Sequence, residues 1–155
     1  MSQNYTAQSA ETGYYITSTN SDVPGQTVAT ADGNGGIPEG ATLTFSKVVQ
    51  SPSTVNVTIK GINGLYFPST LRSSTLSNLG YKQNAASGSE LIWSSEPVNW
   101  QVDVAPASTE FYEIIPASGQ DLFWVTGVQI GPIVQVRSGA DIQRKENQWT
   151  LNKVD

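Results

Sequence analysis

The chain has 155 residues, of which only 14% are charged, and thirteen Asp plus Glu against eight Lys plus Arg leave a net charge of -5. It contains no Cys and no His, which excludes disulfide frameworks, thiol nucleophiles, Cys/His zinc sites and every Ser-His-Asp or Cys-His catalytic arrangement. The bases Lys47, Lys60, Arg72, Lys82, Arg137, Arg144, Lys145 and Lys153 are scattered, so there is no positive stripe to track a phosphate backbone and nucleic acid is not an expected partner.

Residues 1–12 (MSQNYTAQSAET) are polar, lack a basic segment followed by an apolar run, and read as a flexible N-terminal segment. No signal peptide and no membrane span is visible, so a cytoplasmic location is expected, with a mature secreted form as the alternative. The sequons at Asn4 and Asn56 matter only in the second case.

From residue 14 onward, short alternating runs recur: 14–18 (YYITS), 26–30 (QTVAT), 43–48 (LTFSKV), 55–59 (VNVTI), 99–104 (NWQVDV), 111–115 (FYEII), 133–137 (IVQVR) and 148–154 (QWTLNKV). Turn clusters separate them at 22–25 (DVPG), 32–36 (DGNGG), 62–64 (ING) and 117–120 (ASGQ). Thr, Val, Ile and Tyr in period-two runs with Gly and Pro punctuation predict an all-β chain.

Three of the runs carry an aromatic residue in a similar setting, at Phe45, Trp100 and Trp149, which is a period of about fifty residues. The first two are followed by another alternating strand, and Tyr14 and Tyr15 open a matching one near the N-terminus. Four strands in each of three units, at about 13–50, 51–105 and 106–154, predict a single β-trefoil domain over 1–155 with twelve strands in three pseudo-repeats. Six strands of such a fold close a barrel and so remove exposed sheet edges. Trp100 and Trp149 then read as core residues rather than ligand platforms.

Few residues point to chemistry. The pairs Glu90 with Glu96 and Glu110 with Glu113 have the residue type of a glycosidase acid and base, but nothing in their spacing sets two carboxylates across a cleft, and they read as solvated surface. Residues 32–36 match no phosphate-binding fingerprint and read as a turn. The chain is therefore read as a non-enzyme without cofactor or metal, acting through its loops. The loop at 19–25 and the turn at Asn63-Gly64 are the first candidates, and each also reads as an ordinary turn. Arg72, in a Ser/Thr-rich stretch, is either a solvated surface base or a reactive residue for a trypsin-like pocket.

The segments Gly13-Tyr-Tyr-Ile, Val28-Ala-Thr-Ala-Asp-Gly with the following Ile37-Pro38, Val57-Thr-Ile-Lys-Gly-Ile-Asn63, and the strands of Trp100 and Trp149 resemble the fungal mycocypins, a group of β-trefoil protease inhibitors. More distantly the chain is similar to the trypsin-inhibiting trefoils and the lectins of mushrooms. The mycocypin resemblance implies a defence protein that inhibits papain-like cysteine proteases by inserting two loops of the first unit into the cleft. Those loops would carry Asn20, Asp22, Val23, Pro24 and Gly25, and Gly36, Ile37, Pro38 and Glu39. It also implies inhibition of legumain by Asn63, with Gly64 beside it. Such an inhibitor performs no reaction: pre-organised loops fill the cleft at little ordering cost. Phe45 replaces a Trp in the first unit of the pattern, and the loop at 19–25 is short.

The alternatives are a trypsin-type inhibitor, with Arg72 or Arg137 reactive, and a carbohydrate-binding lectin whose partners are glycans. Ricin-type lectins carry Gln-x-Trp in each unit; the residues two before the aromatics here are Leu43, Val98 and Asn147, so that mark is absent.

Overall fold

A computed structural model of the chain describes residues 2–19, 25–49, 54–61, 78–81, 87–94, 98–106, 110–127 and 130–154. Among them lie thirteen strands: β1 (Gln3–Ser9), β2 (Tyr15–Thr17), β3 (Ala29–Ala31), β4 (Thr42–Phe45), β5 (Val55–Val57), β6 (Ile59–Lys60), β7 (Asn78–Tyr81), β8 (Ser89–Ser94), β9 (Trp100–Val104), β10 (Tyr112–Pro116), β11 (Phe123–Val125), β12 (Gln135–Arg137) and β13 (Trp149–Val154). β5 and β6 are halves of one strand broken at Thr58, so the described residues hold twelve strand positions, four to a unit.

Antiparallel pairing closes a ring. β1 pairs with β4, β4 with β6, β5 with β9, β9 with β10, β10 with β13, and β13 returns to β1. Six strand positions thus form a barrel with no free edge. The other six make three hairpins, β2–β3, β7–β8 and β11–β12, which join in a cap. The cap is tied at its centre by the Val28 N–H donating to the Leu91 carbonyl and the Leu91 N–H to the Val134 carbonyl, both at 2.9 Å. All three side chains there are fully buried. Barrel plus triplet cap is the β-trefoil arrangement that the fifty-residue period predicts.

The core is unusually rich in indole. Trp93, Trp100, Trp124 and Trp149 are all buried, and Trp124 stands edge-on to Trp100 at 5.1 Å and to Trp149 at 6.1 Å between ring centroids. The Trp149 Nε1–H donates to the Trp124 carbonyl at 3.0 Å, which satisfies its polar atom inside the core.

Three sequence expectations need correction. Residues 3–9 are not part of a flexible N-terminal segment: they are β1, with β4 on one side and β13 on the other, and Tyr5, Ala7 and Ser9 are buried. A run of polar residues forms a barrel strand here because backbone pairing on both sides satisfies every ladder group and Tyr5 supplies an apolar anchor against Phe45. The first unit therefore opens at Gln3, and Gly25 lies between the second and third strands.

The repeat register also shifts. Leu43 pairs with Tyr5, Trp100 with Val57 and Trp149 with Tyr112, each partner lying on the first strand position of a unit. Leu43, not Phe45, is thus the counterpart of the two tryptophans. Leu43 and Phe45 share one face of β4 and are both buried, so the period-two pattern alone could not choose between them.

Candidate functional site

A cleft of about 440 Å³ opens where the first unit meets the third, lined by Glu11, Thr12, Tyr14, Gly127, Gly131 and Pro132. Its first wall is the turn between β1 and β2. Ser9 Oγ accepts from the Glu11 and Thr12 N–H groups, both at 3.1 Å, and Gly13 donates to the Ser9 carbonyl at 2.9 Å with φ +76°. Thr12 Oγ1 accepts from the Tyr14 N–H at 3.2 Å, and Gln8 Nε2 holds the Gly13 carbonyl at 3.1 Å. A serine hydroxyl taking two consecutive amides is a self-bracing turn, and it fixes Glu11 and Tyr14 on one side of the opening.

The second wall follows β11. Ile130 and Gly131 both donate to the Gly127 carbonyl, at 3.0 and 3.3 Å, and Gly131 has φ +86°. The walls are joined underneath, where Thr126 Oγ1 donates to Ser9 Oγ and both residues are buried. Thr126 N–H also donates to the Glu146 carbonyl at 3.0 Å. A Cβ on Gly127 would stand 2.4 Å from Glu146 Oε2, so the absence of a side chain there lets the third-unit loop approach.

The Arg144 guanidinium stands 3.6 Å from Glu11 Oε2 at the rim, its side chain 81% exposed against 16% for Glu11. Arg144 has φ +55°, the only positive value at a non-glycine residue among those described. The cleft thus offers an aromatic ring, a largely sheltered carboxylate and a hydroxyl on one wall, and two glycines with a proline on the other. Such a set suits a ligand with one apolar face and several hydroxyls, and it has no nucleophile–base pair.

The loop residues singled out by the resemblance that the structure describes fall elsewhere. Gly36, Ile37, Pro38 and Glu39 lie between β3 and β4, far along the chain from either wall of the cleft. Ile37 is 64% exposed, the one large exposed hydrophobic side chain among the described residues. That loop is braced: Asn34 N–H and Nδ2 donate to the two Asp32 carboxylate oxygens at 2.6 and 3.1 Å, and the Ser18 N–H donates to the Gly40 carbonyl at 2.9 Å. Gly25 has φ +91° and donates to the Trp93 carbonyl at 2.6 Å. Asn20, Asp22, Val23, Pro24, Asn63, Gly64 and Arg72 lie outside the described residues.

Of the two acidic pairs, Glu90 and Glu113 each have a partner of their own, and Glu96 lies outside the described residues. Glu90 Oε1 accepts from Thr27 Oγ1 at 2.7 Å, and Glu113 Oε2 accepts from Asn147 Nδ2 at 2.7 Å. Burial pushes the Glu113 carboxyl above its ordinary range, with the nearby Asp103 adding to the shift and the Asn147 bond opposing it. Glu11, Thr12 and Tyr14 do not stand out in the sequence as site residues because they sit in or beside a polar N-terminal segment. The available signal was the Ser9-x-Glu-Thr-Gly13 string, a turn composition directly after an alternating run.

No protein-family model and no curated protein sequence matches the chain. Solved structures do. The lactose complex of a ricin B-like lectin from Macrolepiota procera is 16% identical over 98% of this chain and 96% of that one, with a TM-score of 0.66. The Rhizoctonia solani agglutinin is 12% identical over 99% and 96%, with a TM-score of 0.68. SeviL, bound to the asialo-GM1 saccharide, is 13% identical over the whole of both chains, with a TM-score of 0.62. The chain is an all-β protein with the β-trefoil fold.

Proposed function

We propose that the protein is a carbohydrate-binding β-trefoil and that the cleft of Glu11, Thr12 and Tyr14 receives a saccharide. The observation that carries this is the pairing of an aromatic ring with a sheltered carboxylate in one cleft whose walls are locked together by a buried hydroxyl pair. A sugar presents a C–H face to a ring and hydroxyls to a carboxylate, and it needs no chemistry from the protein. The Glu11 carboxylate, with the Arg144 guanidinium 3.6 Å away, would accept hydrogen bonds from sugar hydroxyls. The sugar-bound β-trefoils of similar backbone support the reading.

A glycan array followed by calorimetry tests it. Glu11→Gln is expected to weaken binding about tenfold or more, the size of a lost charge-assisted hydrogen bond. Tyr14→Ala is expected to weaken it by at least roughly tenfold, as for a truncated aromatic anchor. Neither change should lower the melting temperature appreciably, since both side chains are partly exposed. An array without any bound glycan, or binding untouched by both substitutions, removes this reading.

A second reading, protease inhibition, is supported by Ile37. A lone exposed isoleucine on a braced tip between Gly36 and Pro38 has the form of a knob for a protein cleft. Papain-like proteases would meet this loop, while the legumain and trypsin variants rest on Asn63 and Arg72 and the family resemblance alone. Titration against papain, legumain and trypsin decides. Inhibition of papain that Ile37→Ser abolishes supports it, and full activity of all three enzymes at excess protein removes it.

A further inference from the structure

A second cleft, of about 450 Å³, is lined by Ser87, Gly88, Arg137, Ala140, Asp141 and Gln143. It lies where the turn before β8 meets the segment that follows β12, and its chemistry differs from that of the first. No aromatic ring lines it. Instead, polar groups converge on it with part of their bonding capacity unused.

Asp141 shows this most clearly. Ser87 Oγ and Ser138 Oγ both donate to Oδ2, the latter at 3.2 Å, so Oδ1 has no protein donor among the described residues. Arg137 donates through Nε to Gln135 Oε1 at 3.2 Å, and its terminal nitrogens have no acceptor among the described residues. The Gln143 side-chain amide is in the same position; the residue bonds through its backbone, its N–H donating to Glu146 Oε1 at 3.0 Å and its carbonyl accepting from the Glu146 N–H at 3.2 Å.

These groups are held in place rather than waving in solvent. The Ser138 N–H donates to Ser87 Oγ at 3.1 Å, the Gly139 N–H to Asp121 Oδ1 at 3.2 Å, and the Gly88 N–H to the Val136 carbonyl at 2.8 Å. The Ser87 and Ser138 bonds, with Arg137 nearby, hold the Asp141 carboxyl below its ordinary range, so the acceptor stays ionised into mild acid.

We propose that this cleft is a second saccharide site, taking a neutral sugar through adjacent hydroxyls. One hydroxyl would donate to Asp141 Oδ1, and its neighbour would accept from the Arg137 guanidinium or the Gln143 amide. One carboxylate and one guanidinium leave the cleft lining without net charge, which fits a neutral sugar. Because the two clefts share no residue, one chain holds two unlike sites and bridges two saccharide chains. The inference rests on the carbohydrate-binding reading of the first cleft.

The test is a titration of 15N-labelled protein with lactose, N-acetylglucosamine and mannose in turn, followed by agglutination of beads coated with whichever sugar binds. Amide shifts are expected in two separate sets, Gly127 with Gly131 and Gly88 with Ala140 and Gln143. Asp141→Ala and Gln143→Ala are each expected to weaken the second set's titration about tenfold or more, leave the first unchanged, and abolish bead agglutination while single-site binding persists. Both residues are exposed, so folding is retained. Shifts confined to Gly127 and Gly131 overturn the second site and leave the first reading standing. No shift with any of the three sugars overturns both.

Discussion

Replacing Trp149 with Phe separates a core role from a ligand-binding one. Trp149 is fully buried, lies edge-on to Trp124 at 6.1 Å, and donates its Nε1–H to the Trp124 carbonyl at 3.0 Å. The change removes that donor inside the core, at a cost of about 1–3 kcal/mol for the acceptor left behind. It also leaves a void the size of the lost pyrrole ring, adding roughly 1–2 kcal/mol because the barrel floor relaxes only in part. The expected loss is about 2–5 kcal/mol, which for a chain of this length lowers the melting temperature by roughly 4–20 °C. Urea and thermal unfolding followed by tryptophan fluorescence measure it, with saccharide affinity as the companion readout. Affinity is expected to hold, because Trp149 lines neither cleft. A stability loss under about 1 kcal/mol, or a selective loss of sugar binding at unchanged stability, refutes the core assignment.

Gly40→Ala is expected to cost about 2 kcal/mol or more, since φ is +81° and the new Cβ would stand 2.1 Å from the Ser18 carbonyl oxygen; urea unfolding reads it. Arg144→Gly is expected to gain about 0.5–1 kcal/mol, because relief at φ +55° outweighs a single exposed ion pair with Glu11; no gain in the urea midpoint would contradict this. For Glu113, the folded state binds the proton more tightly than the unfolded chain, so stability is greatest below the ordinary carboxylate pKa and falls as pH rises through the raised value. Glu113→Gln, which keeps a partner for Asn147, is expected to flatten that part of the pH profile in thermal unfolding.

Much of the fold was legible in the sequence. Alternation in residues 55–59, 99–104 and 148–154 set strand type, and the spacing of Trp100 and Trp149 set the repeat. Four strands escaped, β1, β7, β8 and β11. The last two, SELIWS and FWV, carry large apolar side chains at successive positions rather than in clean alternation. β1 escaped for the opposite reason. Its residues are mostly polar, and what makes them a strand is a neighbour on each side, β4 from the same unit and β13 from the other end of the chain.

The candidate site was less legible, for a related reason. Glu11 and Tyr14 are unremarkable in a polar N-terminal stretch. They become a wall of a cleft only when closure of the barrel brings Gly127, Gly131 and Pro132 alongside, and when Thr126 reaches Ser9 across most of the length of the chain. The same holds for Ser87 and Asp141, which belong to different units.

The sequence by itself determined that the protein is all-β, is built on a threefold repeat, and lacks the residues for thiol or imidazole catalysis, because composition and periodicity act locally along the chain. Only the tertiary structure decided the register, with Leu43 rather than Phe45 in the tryptophan position, and the two clefts. Each of these depends on which strands the ring of hydrogen bonds makes neighbours, and chain order does not encode that adjacency.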